Sequence, residues 1–246
     1  MTIAEQITRA KADYDEVYET GKKSGEKSEY DRFWDNYQNY GKRDGYVQGF
    51  SGHGWTDITF RPKYDIILTD AVRAFSYCKI TDLEARLNEC GVVLNMSKSL
   101  NNSEVFANST ITVIPEITIP SNATTFSNMF GNCKNLHTIR KIILLGENNV
   151  TWYRAFYNCS ALENLIIEGV LCGAEIAFQW STKLNKESIT SIINCLSTTT
   201  SGLTVTLSKT AVDTAFETSE GANDGSASTE WTTLIATKSN WTISLI

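Results

Sequence analysis

The run Asn128-Met-Phe-Gly-Asn-Cys-Lys-Asn-Leu-His-Thr-Ile139 is answered in step by Arg154-Ala-Phe-Tyr-Asn-Cys-Ser-Ala-Leu-Glu-Asn-Leu165. The shared frame is Phe-x-Asn-Cys-x-x-Leu-x-x-Ile/Leu. Phe130 and Phe156, Cys133 and Cys159, Leu136 and Leu162, and Ile139 and Leu165 all stand 26 residues apart. A unit this short cannot bury its own apolar face, so such a repeat implies units that stack on one another. Weaker copies flank the pair: Phe75-Ser-Tyr-Cys78 with Leu83, Phe106-Ala-Asn-Ser109 with Ile111 and Ile114, and Phe178-Gln-Trp-Ser181 with Leu184. The Phe-to-Phe intervals become 31, 24, 26 and 22 residues. An α/β repeat solenoid is therefore expected, with Phe75, Cys78, Phe106, Phe130, Cys133, Leu136, Ile139, Phe156, Cys159, Leu162, Leu165 and Phe178 as its core.

Serine replaces cysteine in two copies, which suits a small, enclosed position. Of the six cysteines, Cys78, Cys133 and Cys159 share one place in the frame, whereas Cys90, Cys172 and Cys195 do not. Free buried thiols are expected rather than disulfides. No two are spaced as C-x-x-C, so no zinc site is expected.

Four regions follow along the chain. Over residues 1–40, Ile3, Ile7, Ala10, Tyr14 and Val17 step by 4, 3, 4 and 3, the seam of a helix from about Ile3 to Thr20. That helix is either a short coiled coil that makes a homotrimer and docks the chain on something larger, or an amphipathic helix packed on the chain's own repeats. A second helical run carries Tyr30, Phe33, Trp34 and Tyr37. Residues 41–65 interleave five glycines with Tyr46, Phe50, His53 and Trp55, and read as a connector pinned by its rings or as a carbohydrate-stacking loop. Residues 66–184 hold the repeats, with strands expected at Val92–Leu94, Ile117–Ile119, Ile142–Leu145 and Leu165–Ile167. Pro115 and Pro120 would bracket the second of these. In residues 185–246, Ile189, Ile192, Ile193 and Leu196 mark a helix over Lys186–Ser197. Strands at Leu203–Leu207 and Trp241–Ile246 and helices near Lys209–Glu217 and Thr229–Lys238 complete a helix-then-strand closing cap.

At Asn128-Met-Phe-Gly-Asn-Cys-Lys-Asn-Leu136 the chain resembles the BspA-like leucine-rich repeats of bacterial surface proteins, over about Ala74 to Leu184. Tyr30-Asp-Arg-Phe-Trp-Asp-Asn-Tyr37, Gly52-His-Gly-Trp55, Phe60-Arg-Pro-Lys-Tyr-Asp65 and the segment from Lys186 through Trp241 are similar to repeat proteins encoded in phages and prophages of gut Firmicutes. That likeness implies a leucine-rich-repeat fold and a place in the virion, in the tail or baseplate. It carries no catalytic residues.

Enzymatic chemistry has little to build on. There are two histidines, His53 and His137, and neither stands in a G-x-S-x-G context. His137 is expected to face outward. Asp13, Asp15, Glu16 and Glu19 read as a solvated helix face rather than a paired-acid glycosidase site. No cofactor and no metal are expected. With a net charge of −6 there is no basic field for nucleic acid. The start, Met1-Thr-Ile-Ala-Glu-Gln, lacks the pattern of a signal peptide, and no run is apolar for the length of a membrane span. Release by host lysis is the expected route outward.

Surface remains. Trp152, Tyr153, Tyr157 and Trp180 stand beside the frame and are candidates for stacking on a sugar or for packing between units. The expected function is a non-enzymatic phage structural protein. Its N-terminal region (Ile3, Ile7, Ala10, Tyr14, Val17) would contact other virion proteins, and its repeats a bacterial surface glycan or protein. A bacterial adhesion protein, a purely architectural virion protein and a carbohydrate-cleaving tail enzyme are the alternatives.

Overall fold

The computed structural model describes residues 56–57, 65–68, 70–148, 150–217 and 228–246. The expected N-terminal helices and most of the glycine–aromatic connector, with His53, lie outside them. Strands β1 (Ile66–Ile67) and β2 (Leu94–Asn95) pair in parallel. Strands β3 (Val113–Ile119), β4 (Thr138–Asn148) and β5 (Asn164–Leu171) form a second parallel sheet. A third contains β6 (Ile176–Phe178), β7 (Leu203–Leu207) and β8 (Trp241–Leu245). Helices α1 (Leu83–Cys90), α2 (Lys186–Cys195), α3 (Lys209–Phe216) and α4 (Thr229–Ala236) join them. The fold is mixed α/β with small parallel sheets.

The frame phenylalanines stack ring on ring through the interior. Phe75, Phe106, Phe130, Phe156 and Phe178 follow one another at centroid distances of 5.5, 5.5, 5.2 and 4.4 Å. All five are fully buried, as are the cysteine, leucine and isoleucine positions of the frame. Opposite the sheets, the backbone of each unit hydrogen-bonds the next: Phe75 N–H donates to Val105 O (2.7 Å), Phe106 N–H to Met129 O (2.9 Å) and Phe130 N–H to Ala155 O (2.9 Å). Parallel pairing thus continues where no strand exists.

The segments carrying these rings are runs of tight turns closed by i→i−3 bonds, such as Cys78 N–H to Phe75 O (3.2 Å). Two residues in each of the first four units, two before and two after the phenylalanine, take left-handed backbone: Arg73 and Tyr77, Glu104 and Asn108, Asn128 and Asn132, Arg154 and Asn158. Asparagine tolerates that conformation best among residues with a side chain. Its amides also link the units, Asn132 Nδ2 donating to Asn108 Oδ1 (3.2 Å) and Asn158 Nδ2 to Asn132 Oδ1 (3.1 Å). Asn132→Ala loses both bonds and retains the strain, so a loss of about 2 kcal/mol is expected in urea unfolding. Asn132→Gly keeps the turn and should lose less; an alanine variant as stable as the glycine one would show that the left-handed turn is not what selects asparagine.

The thiols complete the turn. Cys133 Sγ donates to Phe106 O (2.9 Å) and Cys159 Sγ to Phe130 O (3.1 Å), each reaching back one unit. Ser109, at the equivalent place, contacts Cys133 Sγ at 3.5 Å.

Where the second sheet ends, α2 covers it. Ser188, Ser191 and Cys195 lie on one face of α2, at i, i+3 and i+7, and supply the partners a further strand would have provided. Leu165 N–H donates to Ser188 Oγ (2.8 Å), Ile167 N–H to Ser191 Oγ (2.8 Å), and Cys195 Sγ to Ile167 O (2.9 Å). Asn185 caps α2 through Ser188 N–H (2.9 Å) and also donates to Asn164 Oδ1 (2.7 Å). Close approach is demanded at Gly169 in β5, where φ is 106° and a Cβ would lie 2.3 Å from Leu144 O.

Four local expectations are corrected. The strand expected at Val92–Leu94 is Leu94–Asn95, because Asp65 Oδ1 holds Val93 N–H (3.0 Å) at the strand's approach. Pro115 lies inside β3 rather than at its end; β3 is an edge strand of its sheet, where a missing N–H is tolerated. Phe178 stacks like the other frame rings but sits on β6, not on a turn. Helix α1, capped by Asp82 Oδ1 on Ala85 N–H (2.8 Å) and by Gly91 at φ 65°, was not expected and fills the longest interval, Phe75 to Phe106. The helices and strands of residues 185–246 fall within a residue or two of their expected bounds.

Candidate functional site

The four candidate aromatics part company in the structure. Trp152 is 2% exposed and packs on Phe126 (4.4 Å) and Phe156 (6.1 Å), so it belongs to the core and is no ligand surface. The reason is register: it stands four residues before its frame phenylalanine, as Phe126 does, and Gly173 leaves room for its indole. Tyr153, one residue on, is 41% exposed. Tyr157 and Trp180 are half-buried and meet edge to face at 4.6 Å.

Between the rings of Tyr153 and Tyr157 lies Arg154, which the sequence alone did not single out. Its guanidinium carbon is 5.0 Å from the Tyr153 centroid and 5.3 Å from that of Tyr157. Arg154 is exposed, and its guanidinium has no ion-pair or hydrogen-bond partner among the described residues. The counterpart Arg73, one of the same left-handed positions, is instead closed by a two-point pair with Glu104 at 2.8 and 3.1 Å. Glu175, in the unit after Arg154, is held by the Thr151 hydroxyl (2.6 Å). The signal that would have found Arg154 is the repeat itself, since the arginine occupies the position that places a side chain on the outer face of every turn.

Tyr153, Arg154, Tyr157 and Trp180 therefore form an outward cluster in which two tyrosine rings flank a cation and the tryptophan packs against the second of them. Rings of this kind stack on the apolar faces of sugars, and a guanidinium offers paired donors to a carboxylate or phosphate.

The sheet face is differently occupied. Arg140 Nε pairs with Glu84 (2.8 Å), and Lys141 lies between Glu168 (3.1 Å) and Glu116 (3.9 Å), which leaves those charges internally matched. His137 is half exposed, with Nε2 2.8 Å from Glu163 Oε2 and Nδ1 3.1 Å from Thr138 Oγ1, and faces outward as expected. The frame cysteines are poorly suited to nucleophilic work. Burial pushes the Cys78 thiol up to about 12 and the Cys133 thiol to about 11, and raises that of Cys159 as well. Among the described residues, no group of three or more His, Cys, Asp or Glu side chains is placed to hold a metal ion.

No protein-family model, no curated protein and no solved structure matches the chain. Among the described residues, no helix is long and apolar enough to cross a membrane.

Proposed function

We propose that the chain is a non-enzymatic leucine-rich-repeat solenoid that binds a bacterial surface glycan through Tyr153, Arg154, Tyr157 and Trp180. It acts as part of a phage tail or baseplate. The solenoid reading draws support from the ring stack and the backbone ladder that link each unit to the next. The glycan reading rests on Arg154, whose guanidinium lies between the rings of Tyr153 and Tyr157 and has no ion-pair partner among the described residues. The virion placement rests on the likeness to phage-encoded repeat proteins of gut Firmicutes. Display of many copies on a symmetric particle would turn weak contacts into useful avidity.

Binding of fluorescently labelled protein to a panel of gut Firmicutes cells tests the surface reading. Trp180→Ala and Arg154→Ala are each expected to weaken binding about 10-fold, the equivalent of a contact of about 1.4 kcal/mol. A double variant that binds as wild type does would refute the site. Light scattering on the full chain and on a chain starting at Phe60 tests the homotrimer: a trimer that becomes a monomer on truncation assigns the Ile3 to Val17 seam to assembly, and two monomers remove that assignment.

A further inference from the structure

Tyr77 is the odd member of its column. The residue two after the frame phenylalanine is Asn108, Asn132 and Asn158 in the next three units, each left-handed at φ 58–61°. Tyr77 takes the same conformation, at φ 60°, and donates its backbone N–H to Ala107 O (3.0 Å) as Asn108 does to Gly131 O (2.8 Å). A bulky side chain on left-handed backbone is strained, and such strain persists where packing or function retains it. Packing does not account for Tyr77, which is 59% exposed and has no ring partner among the described residues.

Trp180 has the same offset, two residues after Phe178, but lies outside the left-handed set; its ring meets that of Tyr157, the residue before Asn158, at 4.6 Å, which places it at the end of this column. The column therefore reads Tyr77, Asn108, Asn132, Asn158, Trp180: an aromatic at each end and three amides between. Each amide has two N–H donors and two acceptor lone pairs. The ladder uses at most one of each, so every asparagine keeps a donor and an acceptor for a ligand. The four steps match those of the buried ring stack, which gives the strip a length of roughly 20 Å at the spacing of parallel chains.

We infer that this strip is the binding track of a linear glycan laid along the stacking axis. Terminal sugar rings stack on Tyr77 and Trp180, and hydroxyl or N-acetyl groups of the intervening sugars meet the amides of Asn108, Asn132 and Asn158. The inference rests on the glycan reading of the Trp180 end and adds to it a direction, a length and a second aromatic end. Arg154, whose guanidinium lies over the Tyr157 ring that Trp180 meets, would receive an acidic substituent where the glycan carries one.

Isothermal titration of the full chain with the N-acetylglucosamine dimer, the hexamer and peptide-free cell-wall glycan strands tests it. The hexamer and the strands are expected to bind at least 10-fold more tightly than the dimer. Tyr77→Asn, which installs the residue of the neighbouring units, should remove that gain and leave dimer binding unchanged, while its thermal midpoint equals or exceeds that of wild type. Trp180→Ala should weaken all three ligands. Tighter binding of the strands than of the hexamer, reversed by Arg154→Met, would identify the ligand as the carboxylate-bearing glycan. Unchanged binding of both long ligands by Tyr77→Asn overturns the track and leaves the Trp180 cluster standing, and so does a fall in thermal midpoint, which would make Tyr77 a packing residue. No binding of any of the three by wild type overturns both the track and the proposed glycan function.

Discussion

Replacing Phe130 by alanine is expected to destabilise the protein by about 4 kcal/mol, a large share of the 5–15 kcal/mol that holds a typical domain together. Phe130 is fully buried between Phe106 (5.5 Å) and Phe156 (5.2 Å), and both neighbours present their faces to it. Removing the ring leaves a cavity with rigid walls, because the surrounding turns are tied to the adjacent units by backbone hydrogen bonds and cannot close over it. Stacked aromatic pairs add about 0.5–1.5 kcal/mol beyond their area, so a double-mutant cycle with Phe106→Ala should show coupling between the two sites. In the proposed solenoid a central unit has two neighbours to lose. Urea unfolding is the measurement, and a loss below about 2 kcal/mol would mean that the stack relaxes and is not the mechanical core.

The second large effect is alkaline instability. Burial raises the thiols of Cys78 and Cys133 from an ordinary 9.0 to about 12 and about 11, and that of Cys159 in the same direction. Above pH 9 the unfolded chain releases protons that the folded chain keeps, so the folded state binds more protons and stability falls as pH rises. The contribution is whole below pH 9 and is lost progressively through the folded-state values. Each thiol whose folded value lies above pH 10 contributes a slope of about 1.4 kcal/mol per pH unit, so Cys78 and Cys133 together take away about 3 kcal/mol by pH 10, and Cys159 acts in the same direction. Chemical unfolding between pH 8 and pH 10.5 measures this, with Cys133→Ser/Cys159→Ser as the control. Serine already stands at Ser109 and Ser181 in the same frame position, so the control should fold and show a shallower alkaline decline. An identical decline in wild type and control would place the effect elsewhere.

The closing elements could be read from residues alone. The i, i+3, i+4, i+7 pattern of Ile189, Ile192, Ile193 and Leu196, and the alternation in Leu203–Leu207, are local signals of helix and strand, and α2 and β7 lie where they point. The frame core was legible for a similar reason, since a 26-residue repeat of Phe, Cys and Leu requires equivalent positions to meet the same surroundings. Helix α1 was not legible: Leu83 and Leu87 supply only two buried anchors in eight residues, and the long interval between Phe75 and Phe106 does not say how it is filled.

At the candidate site the sequence determined which residue types stand beside the frame, and tertiary structure decided which of them face out. Trp152 and Tyr153 are adjacent and both aromatic, yet one is core and the other surface, because a turn sends successive side chains in opposite directions and only the neighbouring units define inside. Arg73 and Arg154 hold equivalent positions, yet Arg73 meets Glu104 in the next unit and Arg154 meets two tyrosine rings. Periodicity is a property of the chain and can be counted. Pairing across units depends on which side chains stacking brings within a few ångströms, and that is settled only when the chain is folded.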